Sequence, residues 1–227
     1  MSLKLLDLFC CGGGGAEGYA AAGFSVTGVD RFQQREYPYN FVQGDALRYL
    51  EAHGGEYDFI HASPPCQGYS RRTGKPSKYV RSAGNEEPRL IEPLRLLLQK
   101  TGKLYVIENV FGARDVMISP TLLCGVMFGL HIRRHRLFET NWGLKAPPHP
   151  KCQGVALKFA RKNRWHYREM SVCGKATRAG CTDRWMQLMG ITHRMTQHQL
   201  AEAIPPCFTK YIAEQVIPLL TPAEVAA

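Results

Sequence analysis

Leu3-Lys4-Leu5-Leu6-Asp7-Leu8-Phe9-Cys10-Cys11-Gly12-Gly13-Gly14-Gly15 is the stretch that decides the fold. An apolar run of strand length meets a run of glycines, and a helix is expected from there through Ala22. Strand, tight turn and helix together open an α/β nucleotide-binding unit. The glycines let the backbone approach a ligand closely, and the amino end of the helix offers it unpaired N–H groups. Four consecutive glycines fit the dinucleotide fingerprint poorly, because that pattern spaces its glycines.

Working outward, Phe24-Ser25-Val26-Thr27-Gly28-Val29 reads as a second strand ending at Asp30, near the place where a doubly wound sheet puts an acid that holds a ribose. Phe41-Val42-Gln43 is a third strand, and Asp45 follows it as both a helix N-cap and a candidate acceptor for an adenine amino group. Tyr57-Asp58-Phe59-Ile60 reads as a fourth, buried strand. It leads into Ser63-Pro64-Pro65-Cys66-Gln67-Gly68-Tyr69-Ser70, where two prolines bar helix formation and hold Cys66 on a rigid turn. A thiol there sits at the carboxyl edge of the sheet and is a candidate nucleophile. A cysteine taken alone is more often a core residue.

Leu90, Ile91, Leu94, Leu97 and Leu98 form a helical stripe within 86–101, and Leu104-Tyr105-Val106-Ile107 is a fifth strand with Glu108-Asn109-Val110 at its end. Partial burial would raise the pKa of Glu108 and let it share a proton with a base. Residues 133–138 read as an edge strand on which Arg134 and Arg136 point to the same side. Residues 141–182 lose periodicity and mix Lys and Arg with Trp142, Phe159, Trp165 and Tyr167, a small basic and aromatic insert suited to nucleic acid. His149, Cys152, Cys173 and Cys181 lack paired Cys-x-x-Cys units, so no metal is expected. Short helices over 183–189 and 196–203 and a last helix over 207–219 complete the chain.

The 227 residues suit a single domain, with a net charge of +10 that favours a polyanionic or anionic partner. Arg71-Arg72, within a basic loop over 71–85, and Arg161-Lys162-Asn163-Arg164 add forks suited to phosphate. No run reaches membrane-spanning length, no secretory signal is visible, and eight irregularly spaced cysteines point to a reducing, cytoplasmic setting.

Asp7-Leu8-Phe9 with the glycine turn, Pro65-Cys66-Gln67, Glu108-Asn109-Val110 and Arg134-x-Arg136, in this order, resemble the motifs of DNA (cytosine-5) methyltransferases over about residues 3–140 and 183–220. The resemblance implies a Rossmann-like α/β methyltransferase fold with a mixed seven-stranded sheet and helices on both faces. It implies S-adenosylmethionine as methyl donor and duplex DNA with a flipped cytosine as substrate. By the same resemblance Phe9, Gly13, Gly14, Asp30, Asp45 and Pro65 would line the cofactor site. Cys66 would be the nucleophile, Glu108 would hold ring nitrogen 3 of the base, and Arg136 with Arg134 its carbonyl.

The chain departs from the family at Cys11, where a glycine is usual, at Ile132, where a glutamine is usual, and at Ala201-Glu202-Ala203-Ile204, which replaces a Gly-Asn-Ser-Val stretch. Three alternatives stand beside DNA methylation: a transfer-RNA cytosine methyltransferase, a transferase using a modified donor, and a non-catalytic nucleic-acid-binding protein.

Overall fold

The computed structural model describes residues 2–69, 88–152 and 181–221. Seven strands form one sheet: β1 (Lys4–Leu8), β2 (Ser25–Asp30), β3 (Asn40–Gln43), β4 (Phe59–Ala62), β5 (Leu104–Asn109), β6 (Thr121–Leu123) and β7 (Arg136–Thr140). Their spatial order is β3-β2-β1-β4-β5-β7-β6. The first five run parallel, while β7 is antiparallel to both β5 and β6. Apolar side chains on both faces of β1 and β4 explain the parallel core. Leu5, Leu6, Leu8, Phe59, Ile60 and Ala62 are all wholly buried, as expected of strands covered by helices on two sides.

Helix α1 (Gly14–Ala21) and the C-terminal helix α6 (Pro206–Leu220) cover one face. Helices α2 (Ala46–His53) and α3 (Ile91–Lys100) cover the other. The two helices of the first face meet at Gly18. A Cβ added there would land on the Pro206 carbonyl and the Thr209 hydroxyl, so only glycine permits this approach. A separate apolar cluster joins Ile132 to Trp185, Met189, Ile191, Met195 and Leu200, carried largely by α4 (Cys181–Met189) and α5 (Gln197–Glu202).

The chain leaves β1 to build β2 and β3 on one side and then crosses to build β4 and β5 on the other. The carboxyl ends of β1 and β4 therefore flank the point where strand order reverses, and a crevice opens there.

Three expectations change. The strand expected over 133–138 is not at the edge: β7 begins at Arg136 and lies between β5 and β6. The edge belongs to β6, whose three residues are too few to show alternation in sequence. The helix expected from residue 86 begins at Ile91, which leaves Pro93 in the first turn, the part of a helix that tolerates proline. β4 runs on past Ile60 through buried His61, whose ring nitrogens are satisfied by Tyr19 and Ser63. The basic loop over 71–85 and residues 153–180 of the proposed insert lie outside the described residues.

Candidate active site

A cleft of about 720 Å³ opens at the carboxyl edge of the sheet. Its walls include Phe9, Gly13, Gly14, Asp30, Asp45, Pro65, Cys66, Glu108 and Arg136. Nine of the ten residues singled out from sequence thus share one cavity. Arg134 is the tenth. It precedes β7, is buried, and donates to the carbonyls of Ala201 and Ala203, joining the β7 entrance to the α5 segment. The two-residue period that aligned it with Arg136 applies only inside a strand, and the strand starts two residues later.

At the β1 end the backbone is held in the left-handed region at Phe9 (φ 59°) and Cys11 (φ 46°), then at Gly13 (φ 83°). For the two non-glycine residues this conformation is strained, and such strain concentrates at ligand-binding turns. Cys11 therefore keeps the backbone form that a glycine would adopt without strain. Its thiol pKa is pushed up to about 12, first by burial and then by nearby Glu202, so it stays protonated.

Asp30 fixes the turn from below. Its carboxylate accepts from Cys11 N at 3.0 Å and Phe32 N at 2.9 Å. From the far side His193 donates through Nε2 to the Gly12 carbonyl at 2.6 Å and meets Glu17 through Nδ1 at 3.1 Å. Burial opposes the charge on His193, but the Glu17 and Gly12 hydrogen bonds outweigh it and the pKa is raised. Asp45 caps α2 with one oxygen, which accepts from Leu47 N and Arg48 N. Its other oxygen has no partner among the described residues.

Phe32 is a wall of this cleft that the sequence reading missed. It is 70% exposed, two residues after Asp30, and lines the cleft with its apolar ring. Its signal in the sequence is one aromatic within a polar loop.

Deeper in the cleft Cys66 is half-buried on the turn after β4, and Tyr69 N donates to its carbonyl at 3.0 Å. Asn109 holds this turn against β5, donating through Nδ2 to the Pro64 carbonyl at 2.9 Å. Glu108, one residue earlier, lines the same cavity as Cys66. Its pKa is raised by burial, against the opposing pull of Arg136, Ser63 and Arg134. Arg136 Nε lies 3.0 Å from Glu108 Oε1, yet that oxygen receives no aligned N–H. The Coulomb contact is present and the hydrogen bond is not, so both groups retain hydrogen-bonding capacity.

Behind Glu108 runs a buried polar chain. Tyr19 Oη lies 2.9 Å from His61 Nδ1, and His61 Nε2 lies 2.8 Å from Ser63 Oγ. Burial pushes the His61 pKa down to about 3, so the ring is neutral. With Tyr19 donating to Nδ1, Nε2–H donates to Ser63, and the Ser63 hydroxyl proton remains for the Glu108 carboxyl. The chain thus presents donors in one direction, toward Glu108.

A crevice at the sheet's reversal point, two acids at the ends of β2 and β3, and a thiol and a buried carboxyl at the ends of β4 and β5 define the class: an α/β fold of the methyltransferase type. Solved structures agree. The chain superposes on the DNMT2 of Spodoptera frugiperda with a TM-score of 0.59, at 13% identity over 96% of this chain and 99% of that one. The Schizosaccharomyces (S. pombe) Dnmt2 methyltransferase gives 0.59 at 14% identity over 96% and 99%, and the Entamoeba histolytica methyltransferase EhMeth gives 0.56 at 11% over 97% and 98%. An E. coli prophage protein assigned as a DNA modification methyltransferase is 23% identical over 60% of this chain, with a TM-score of 0.44, and this chain spans 45% of its length. No family model and no curated protein matches the sequence. The likeness establishes the fold: a Rossmann-like α/β methyltransferase fold with a mixed seven-stranded sheet.

Proposed function

We propose that the protein methylates carbon 5 of cytosine in DNA, with S-adenosylmethionine as donor and Cys66 as covalent nucleophile. The observation that carries this reading is the shared cleft: Cys66, Glu108 and Arg136 line the same cavity as Asp30 and Asp45.

The donor's chemistry fits the residues present. Its cleft has the volume of a nucleotide-sized ligand site. The open Asp45 oxygen suits an adenine amino group, Phe32 suits the face of the adenine ring, and Asp30 retains acceptor capacity for ribose hydroxyls. Phe9, Gly13 and Gly14 present the turn at the methionine end, and Pro65 closes the wall beside Cys66. Bound there, S-adenosylmethionine supplies an electrophilic methyl group on a sulfonium centre.

Carbon 5 of cytosine is a poor nucleophile until the ring is made electron-rich. The Cys66 thiolate adds to carbon 6, forming a C–S bond and pushing the ring electrons toward ring nitrogen 3. Glu108, whose affinity for a proton is raised by burial, donates a proton or hydrogen bond at that nitrogen, and the adduct becomes an enamine nucleophilic at carbon 5. Methyl transfer to carbon 5 would leave the donor as a neutral thioether. Carbon 5 then gives its proton to water, and the C–S bond breaks with its electron pair returning to the Cys66 sulfur. Any proton lent to ring nitrogen 3 returns to Glu108, which restores the thiolate and the aromatic ring. Arg136 turns its unaligned N–H toward the base carbonyl. The base must leave the duplex, which costs a few kcal/mol, and the +10 charge supports the phosphate contacts that offset it.

The test is incubation with S-adenosylmethionine and a duplex carrying 5-fluorocytosine, where loss of the carbon 5 proton is blocked. A covalent protein–DNA adduct mapped to Cys66, absent in Cys66→Ala, is expected. Labelled-methyl transfer to DNA and to transfer RNA is compared in parallel. Transfer to RNA alone would replace the substrate, and no transfer and no adduct with either would remove the mechanism.

A further inference from the structure

Four side chains from three segments of the chain converge outside the cleft. Cys124 lies just past β6, where it precedes the short 3-10 turn Gly125–Phe128. His135 directly precedes β7, and His149 and Cys152 lie on the segment after it. Their donor atoms all fall within 4.8 Å of one another. Cys124 Sγ and Cys152 Sγ are 3.6 Å apart, and His135 Nε2 and His149 Nε2 stand 3.3 and 3.4 Å from Cys152 Sγ.

We propose that Cys124, His135, His149 and Cys152 bind a structural zinc ion. Two sulfurs at about 2.3 Å from one tetrahedral ion lie about 3.8 Å apart, and a sulfur and an imidazole nitrogen about 3.5 Å apart. The separations found here match that figure within a few tenths of an ångström. One cation at the centre of the cluster would serve all four donor atoms at once. Two thiolates and two neutral imidazoles compensate a divalent charge, which suits a site whose first ligand, Cys124, is wholly buried. Tetrahedral S2N2 geometry selects zinc among common ions, and four protein ligands leave no open position, so the ion holds structure and does no chemistry.

What it holds is the entrance to β7. The ligands come from the chain after β6, before β7 and beyond β7, so the ion staples three segments. Arg136 adjoins His135 and donates through Nη1 to its carbonyl at 2.9 Å, and the staple therefore fixes the backbone from which Arg136 reaches Glu108. This revises the expectation of no metal. The His149-x-x-Cys152 pair is short-range, but its partners lie at 124 and 135, not at 173 and 181. Cys173 is outside the described residues.

The experiment uses the full chain, expressed in zinc-supplemented medium and purified without chelator, with metal measured by mass spectrometry. One zinc per chain is expected, with cobalt substitution giving a thiolate-to-cobalt charge-transfer band and the intense visible bands of a tetrahedral ion. Because Cys124 is buried, the variants are His149→Ala and Cys152→Ser, with circular dichroism to check folding and Cys207→Ser as the control cysteine. Competition with a chromophoric chelator should show zinc affinity more than about tenfold weaker in the two variants and unchanged in the control. Background zinc in the wild type, a Cys124–Cys152 disulfide in its place, or equal affinity in all four proteins would overturn the site.

Discussion

Asp7→Asn separates the two buried carboxyl groups at the active edge. Asp7 is 4% exposed beneath the glycine turn and accepts from Tyr37 Oη at 3.1 Å. Burial pushes its pKa from 3.8 up to about 7; the Tyr37 hydrogen bond opposes this and neighbouring Asp30 adds to it. A folded-state pKa above the unfolded value means that the native protein binds more protons between the two. Stability is therefore greatest below about pH 4 as far as this group is concerned, and falls as pH rises from about 4 through about 7. The displacement corresponds to about 4 kcal/mol between the two plateaus.

Asparagine cannot ionise but keeps an oxygen for Tyr37. Any cost of its amide is independent of pH and cancels in the difference between two pH values. Urea unfolding of wild type and Asp7→Asn at about pH 5 and about pH 8.5 gives that difference, and the variant should gain roughly 2–4 kcal/mol relative to wild type on going to the higher value. An unchanged difference would mean that Asp7 is ionised at low pH despite its burial, and the electrostatic account of this edge would fail.

Three further outcomes follow from the same geometry. Cys11→Gly should hold stability within about 1 kcal/mol or raise it, because φ 46° strains a side chain, whereas Cys11→Val should cost more than about 2 kcal/mol; thermal unfolding reads both. His193 has a raised pKa, so its bridge between Glu17 and Gly12 contributes fully below about pH 6.5 and is lost as pH rises through the folded value. The gap in melting temperature between wild type and His193→Gln should narrow toward about pH 9. Ser63→Ala removes a group that holds the Glu108 pKa down, so the alkaline limb of methyl transfer should move to higher pH; a limb that stays in place would detach Glu108 from the acid role.

The parallel half of the sheet was legible because buried strands announce themselves as apolar runs and place their following residue at one edge. Asp30, Asp45, Cys66 and Glu108 all came from that rule, and all four line the cleft. The antiparallel half was not legible in the same way. β6 is three residues long, and β7 starts inside the basic Arg133-Arg134-His135-Arg136 run, so charge concealed the boundary that decides where Arg134 points. Phe32 was hidden because exposure in a loop has no period. The ligand cluster was hidden because its members are brought together by the β6–β7 pairing, a contact with no trace in local spacing.

Two carboxyl groups with raised pKa values line one cleft, and what distinguishes them is how fully each is satisfied. Asp7 is held by Tyr37, and the backbone turn above it is fixed through Asp30 and His193, so its burial serves the shape of the turn. Glu108 has a donor chain arriving from Tyr19 through His61 to Ser63 and an arginine at 3.0 Å that is not aimed at it. An unsatisfied buried oxygen beside a misaligned guanidinium costs stability in the absence of a ligand. A pyrimidine edge that offers a ring nitrogen to Glu108 and a carbonyl to Arg136 would satisfy both at once. The energy left unused at this pair is then available to hold a base that has left its stack, which is where the chemistry at Cys66 needs it.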